Sequence, residues 1–281
     1  MDKLIIDRKK IIDEFASYTS NYDISDGKIR LKVEHTYRVA GLCDRIARSL
    51  CMAEDDINLA WAIGMLHDIG RFEQIRQYGT FSDEDSVDHA HYATELLFGN
   101  GMIADYFGSI NTDVYNYIEN GSTDGKGLSE SLGIIKKAIY NHSAYRIEEG
   151  LGEREVLFCN IIRDADKLDI FKVVNDTPLE NIYSVNKEEI SKSEVTGAVM
   201  QALREKHAVL RGLKKTPADY IAAYIALAFE LVFPESFYIL KEQGYLDNLL
   251  DFKTDNQDTK RQFQEIREII EEHITEKNKI I

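Results

Sequence analysis

Apolar residues recur at three- and four-residue steps along most of the chain, and period-two alternation is scarce, so the pattern predicts an all-α protein. One helix is expected from about Leu31 to Met52, with Leu31, His35, Val39, Leu42, Ile46 and Leu50 on one face. Asp55 and Asp56 offer a cap for a very apolar second helix, Ile57 to Ile69, with Gly70 as its stop. A polar loop, RQYGTFSDEDSVD, separates this from a short helix over His89–Phe98. Glycines at 99–101 and 121–127 bracket another helical segment, and Ser129 is a candidate cap for a helix carrying Leu132, Ile135, Ile139 and His142. Arg154–Val174 is apolar on more than one side and reads as central. The polar stretch 175–193 is the best internal boundary. Beyond it, Thr216-Pro217 followed by Asp219 reads as a capped helix start, and Thr259–Lys277 as an amphipathic final helix. The expected organisation is one helical body, with a core over about 30–175 and a helical extension over 176–281.

Composition narrows the functional classes. With 281 residues and 44% hydrophobic content the chain can build a core, which excludes wholesale disorder. Its 34 Lys+Arg against 49 Asp+Glu leave a net charge of −15, which argues against extended nucleic acid and anionic membranes as partners. The most apolar stretch, Tyr220–Phe233, is shorter than the roughly 20 residues of a membrane span. The N-terminal MDKLIIDRKKIIDEF has charges throughout and does not read as a signal peptide. Cys43, Cys51 and Cys159 are read as small core residues of a reduced protein, and a cytoplasmic location is expected.

The chemistry concentrates in histidines. Five of the seven (His35, His67, His89, His91 and His142) lie in the first half, and three of them share faces with apolar residues. One such histidine is ordinarily a hydrogen-bonded core residue. Three on separate helices suggest imidazoles converging on a metal. Asp68, beside His67 at the expected end of an apolar helix, would carry its charge against the helix dipole unless a cation compensates. A further cluster, RDADKLD at 163–169, puts three aspartates on the central helix. Asp164 and Asp166 are about 200° apart around a helix, so at most one points at a given site, and periodicity does not choose between them.

His35, His67-Asp68 and a later aspartate, with the strings LHDIGRFEQ (66–74), DHAHYATELLF (88–98), IYNHS (139–143) and RDADKLD (163–169), resemble the HD superfamily of metal-dependent phosphohydrolases. The resemblance covers roughly residues 30–175 and implies an all-α HD-domain helical bundle with additional C-terminal helices. It also implies a ligand set of His35, His67, Asp68 and Asp166, with Asp164 as the fallback. His89 and His142 match the extra histidines of two-metal members, with Asp68 bridging, and His91 competes with His89. Ser143 stands where some relatives carry a second histidine. One or two divalent ions (Mn, Fe, Mg, Co or Ni) are implied as cofactors. Arg71 and Lys167, each beside an implied ligand, are the candidate charge-stabilising cations, and Asp68 is the candidate catalytic carboxylate. Asn141 and Glu73 are weaker candidates for substrate contact, and His207 and His273 are expected to be solvated.

The implied activity is hydrolysis of a phosphomonoester or phosphodiester, with a small phosphorylated substrate, a nucleotide, as partner. Two alternatives stand beside it: a di-iron oxygenase on a similar six-ligand set, and a non-enzymatic nucleotide-binding or sensing module. Homo-oligomerisation is left open.

Overall fold

The structure, a computed structural model, describes residues 4–108, 128–177 and 187–279. Among them there is no strand, and the expected all-α class is what the chain forms. No helix among the described residues is long and apolar enough to cross a membrane. The chain divides into two compact units, Met1–Ala165 and Asp166–Ile281.

In the first unit, α1 (Arg8–Thr19) starts at Asp7, whose carboxylate accepts from the Lys9 and Lys10 amides. The next helix, α2 (Gly27–Ser49), starts earlier than expected because Asp26 caps it by accepting from the Lys28 amide at 2.7 Å. Helix α3 runs Glu54–Leu66 with Glu54, Asp55 and Asp56 in its first turn. Those carboxylates favour the positive helix end, although no side chain caps it by hydrogen bonding. Then come α4 (Ile69–Tyr78), α5 (His89–Thr94) with a π turn over Glu95–Gly99, α6 (Ile103–Phe107), α7 (Leu128–Asn141) and α8 (Glu153–Asp176), which continues into the second unit. The expected helix between the glycine clusters is seen only as α6, since 109–127 lie outside the described residues. Ser129 is inside the first turn of α7 rather than its cap.

Helices α2 and α3 pack along one another, with α4, α5 and α7 around them. Close approach depends on two glycines. A Cβ on Gly64 would lie 2.6 Å from Ala40 Cα, and one on Gly70 would lie 2.6 Å from the His89 carbonyl oxygen and 2.9 Å from Ala93 N. Gly70 is therefore not a helix stop. It sits within α4, and its bare face lets α5 come in against the backbone. Phe15, fully buried, packs edge-on against Phe72 at 5.8 Å and fixes α1 beside α4.

The second unit contains the rest of α8 and α9 (Lys187–Lys192), α10 (Gly197–Arg204), α11 (Pro217–Ile225), α12 (Pro234–Gln243), α13 (Tyr245–Leu250) and α14 (Gln257–Lys279). The expected start of α11 holds. Thr216 and Asp219 form a capping box with Pro217 in the first turn, and buried Asp219 also accepts from the Thr196 amide at 2.7 Å. Of the two histidines expected to be solvated, one departs from expectation. His207 lies in a turn, close to the Ala208 carbonyl and the Glu205 carboxylate. His273 is 6% exposed, not solvated, with its ring 5.0 Å from Phe229 and edge-on to it. Of the cysteines, Cys43 and Cys159 are buried, but Cys51 is exposed in a left-handed conformation (φ 53°) where the chain leaves α2.

Candidate metal centre

Asp68 is the hub of the first unit. The apolar helix stops at Leu66, and His67 and Asp68 form the corner into α4. Asp68 thus sits at the N-terminus of α4, not at the unfavourable end of a continuous helix, and the dipole of α4 favours its charge. The side chain makes no cap hydrogen bond and is 2% exposed, so its charge must be balanced from elsewhere.

Four imidazoles surround it in two pairs. Oδ2 of Asp68 lies 3.5 Å from both His35 Nε2 and His67 Nε2. Oδ1 lies 3.5 Å from His89 Nε2 and 3.7 Å from His142 Nε2. Within the pairs, the Nε2 atoms are 3.3 Å apart (His35, His67) and 3.0 Å apart (His89, His142). Donor atoms of His35, His67 and Asp68, and likewise of Asp68, His89 and His142, lie within 4.8 Å of one another. All five residues are buried. His91 is exposed, with its ring against Tyr140, whereas His89 is buried beside Asp68.

The other ring nitrogens say which face of each imidazole is bare. His67 Nδ1 is 2.8 Å from the Gly64 carbonyl and His142 Nδ1 is 2.7 Å from the Ile139 carbonyl, so both must be N–H donors. His89 Nδ1 donates to the Asp83 carboxylate at 2.9 Å. In the neutral rings, Nε2 of all three is then a lone pair. Burial, and after it the Arg71 charge, push His89 down to about 4 despite Asp83, so this imidazole is neutral near pH 7. Two lone pairs facing each other at 3.0 Å are repulsive unless a cation lies between them and the carboxylate. Two nitrogens bound at about 2.1 Å and right angles to one ion would be about 3.0 Å apart. The donor set of imidazoles and a carboxylate therefore fits a divalent ion.

Several residues that escaped the sequence reading complete the centre. Lys32 Nζ is 2.6 Å from Asp68 Oδ2. Burial alone would raise the Asp68 carboxyl, but the Lys32 ammonium and His67 outweigh it and hold it well below the usual carboxylate range. Lys32 lies one turn before His35 on α2, a spacing detectable in the sequence once His35 is taken as facing the core. Asp83, from the acidic loop, ties Arg71 Nη1 (2.8 Å), Gln74 Nε2 (3.0 Å) and His89 Nδ1 together. Burial pulls Asp83 upward, and the hydrogen bonds from His89 and Gln74 together with the neighbouring Arg71 charge outweigh that and hold it well below the usual carboxylate range. Such a carboxylate behind a histidine fixes tautomer and ring orientation. The loop itself is pinned by Gln74, which donates to Ser86 Oγ and the Val87 carbonyl. The Phe81 ring lies 5.3 Å from Lys32 Nζ and 5.8 Å from Arg71 Cζ. Arg163, on α8, donates to the carbonyls of Asn141 (2.8 Å) and Ala144 (2.5 Å), holding the end of α7 where His142 sits.

Of the expected cations, Arg71 has Nε 3.6 Å from Asp68 Oδ1, and that buried N–H has no hydrogen-bond partner among the described residues. Lys167 and Asp166 belong to the second unit. On α8 Lys167 is buried, Asp166 is half-buried, and Asp164, in the first unit, is fully buried. Glu73 turns to Tyr22 and Arg76, and Asn141 bonds to the Lys137 carbonyl and the Glu148 amide, so both have structural partners.

Residues 33–170 match the family model of the HD domain. The chain carries an HD domain. The match spans the helices that bring His35, His67, Asp68, His89 and His142 together, and HD-domain proteins are generally metal-dependent phosphohydrolases. No curated protein and no solved structure is similar enough to the chain to be matched.

Proposed function

We propose that this HD-domain protein hydrolyses a small phosphomonoester or phosphodiester, a nucleotide by the resemblance of its motifs, with one or two divalent ions held around Asp68. One observation carries the reading: each oxygen of a single buried carboxylate faces its own pair of histidine Nε2 atoms. That is the arrangement a carboxylate shared by two ions requires. His35 and His67 would hold one ion and His89 and His142 the other, with Asp68 common to both. The remaining ligand is assigned to Asp166 by its place in the motif, with Asp164 as the alternative. Only the true ligand should lose metal when changed to alanine.

Bound divalent ions supply Lewis-acid charge at a phosphoryl oxygen and acidify water. The chain's own residues supply the rest. Lys32 and the free Nε–H of Arg71 face the negative charge that grows on the phosphoryl oxygens, with Lys167 as a further candidate cation. Asp83 keeps His89 in the tautomer that leaves Nε2 bare. The net charge of −15 argues against extended polyanions, whereas a small phosphate ester would meet Lys32 and Arg71 beside Asp68.

The test is turnover of bis-p-nitrophenyl phosphate and of a nucleotide panel by the purified protein with Mn²⁺, alongside Asp68→Ala. Hydrolysis by the wild type and none by the variant supports the reading; equal hydrolysis by both removes it. Four imidazoles around one carboxylate also suit a di-iron centre, the second reading. An iron-loaded protein that consumes O₂ and hydrolyses no phosphate ester would favour it.

A further inference from the structure

Lys32 stands on α2 one turn before His35, with its Nζ 2.6 Å from Asp68 Oδ2. That oxygen is also the one faced by His35 Nε2 and His67 Nε2, each at 3.5 Å. The ammonium and an ion held by His35 and His67 therefore draw on the same oxygen. The other half of the centre is built differently. Arg71 Nε stands off Asp68 Oδ1 at 3.6 Å, and a second carboxylate, Asp83, takes up the guanidinium charge at 2.8 Å from Nη1. Asp83 also backs His89 at 2.9 Å from Nδ1. Two carboxylates, Asp68 and Asp83, thus stand against two cations, Lys32 and Arg71.

That balance decides what an arriving ion does to Lys32. One carboxylate oxygen has lone pairs for two partners. However, an ion at about 2.1 Å and an ammonium at 2.6 Å from one oxygen are at most about 4.7 Å apart. There a double and a single positive charge repel twice as strongly as two unit charges, and a buried site screens them little. The ion also neutralises the charge that holds Lys32 in place. Lysine can respond, because its ammonium rides on a flexible four-carbon stem. Beside it lies the half-buried Phe81 ring, 5.3 Å from Nζ, whose face holds a cation without cancelling its charge. Competition runs both ways. An ammonium on Oδ2 weakens the ion of His35 and His67, whereas Asp83 behind His89 strengthens the ion of His89 and His142.

We propose that Lys32 is a metal-gated arm. It competes with the ion of His35 and His67 for Asp68 Oδ2, and occupation of that position turns its ammonium from Asp68 to the substrate phosphate. The His35–His67 position is then the weaker of the two, and phosphate binds after metal. This role rests on the metal-dependent hydrolase reading, whose site it makes conditional on metal loading.

The experiment is brief acetylation of the full chain with an N-hydroxysuccinimide ester, with the label on Lys32 measured by peptide mass spectrometry. An ammonium paired with a buried carboxylate reacts slowly, and exposed Lys241 on α12 is the internal reference. Relative to Lys241, the Lys32 label should rise several-fold with saturating Mn²⁺ and fall back when inorganic phosphate is added to the Mn²⁺-loaded protein. Phosphate without Mn²⁺ should leave it unchanged. Calorimetric Mn²⁺ titration is the second readout: Lys32→Met should strengthen the weaker of two classes of site about tenfold or more. A wild type that binds Mn²⁺ with no change in Lys32 label overturns the arm and leaves the metal centre standing. So does a label that rises with Mn²⁺ but ignores phosphate, or a Lys32→Met protein whose Mn²⁺ binding is no stronger. A wild type that binds no Mn²⁺ removes the metal-dependent reading itself, and the arm with it.

Discussion

His89 Nε2 lies 3.0 Å from His142 Nε2, and both rings spend their only N–H on the opposite side, His89 on Asp83 and His142 on the Ile139 carbonyl. Two lone pairs are brought together by a frame that includes a fully buried helix face and a glycine contact. The fold holds them against their mutual repulsion, which is what a preorganised cation site looks like before electrostatics is satisfied.

Asp83 is expected to act through His89. Asp83→Asn keeps the size but removes the charge behind the imidazole, and should lower divalent-metal affinity about 10–100-fold. Competition with a chromogenic chelator measures this. An unchanged affinity would show that the Asp83–His89 contact does not set the tautomer.

Lys32 balances Asp68 at 2.6 Å, with 15% of its own side chain exposed. Lys32→Met should therefore leave a buried carboxylate uncompensated and cost about 3 kcal/mol of metal-free stability. Saturating Mn²⁺ should restore most of that loss, because a metal and the ammonium neutralise the same oxygen. Urea denaturation with and without Mn²⁺ checks it; a loss that Mn²⁺ does not recover contradicts the shared role.

Gly70→Ala pits two effects against each other. Helix propensity favours alanine by about 1 kcal/mol. The new Cβ, however, would lie 2.6 Å from the His89 carbonyl oxygen, and backbone cannot step aside without moving α5. Overpacking of about 1–3 kcal/mol should win, with weaker metal binding because His89 moves. Gly133→Ala on α7, which meets nothing within 4 Å, should stabilise instead.

Much of this centre was legible in the sequence, and the gaps have physical causes. His35, His67 and His142 could be placed on core faces because each continues an apolar stripe of helical period. Asp68 could not be placed correctly, because a two-residue corner between α3 and α4 leaves the 3.6-residue pattern nearly unbroken. Its charge then looked opposed by a dipole that in fact favours it. Lys32 is missed because its role depends on a contact across 36 residues, and Asp83 because it sits in an irregular loop 6 residues before His89, where no helical period places a side chain. His273 was misjudged for a related reason. Its helix is polar over most of its length, and only packing against Phe229 and Phe237 buries the ring.

That buried His273 gives a pH dependence. Burial, then the Lys277 and Lys206 charges, lower its pKa below 6.5, so the folded state binds fewer protons than the unfolded state just below that value. Its contribution is fully present above about pH 6.5 and declines as pH falls below it. His273→Phe keeps an aromatic ring and removes the titration, so the variant's melting temperature should fall less than the wild type's between pH 7 and pH 5.5. Parallel pH profiles would show that His273 is not held neutral.

The most direct measurement is metal content per chain by elemental analysis of purified protein, compared among wild type, His142→Ala and Asp68→Ala, with helical content checked by circular dichroism. A carboxylate shared by two positions makes a graded expectation: metal retained by the wild type, reduced by His142→Ala, and absent in Asp68→Ala at unchanged helicity. A wild type without divalent metal, or an Asp68→Ala protein that keeps the wild-type content, would contradict a metal centre organised by Asp68.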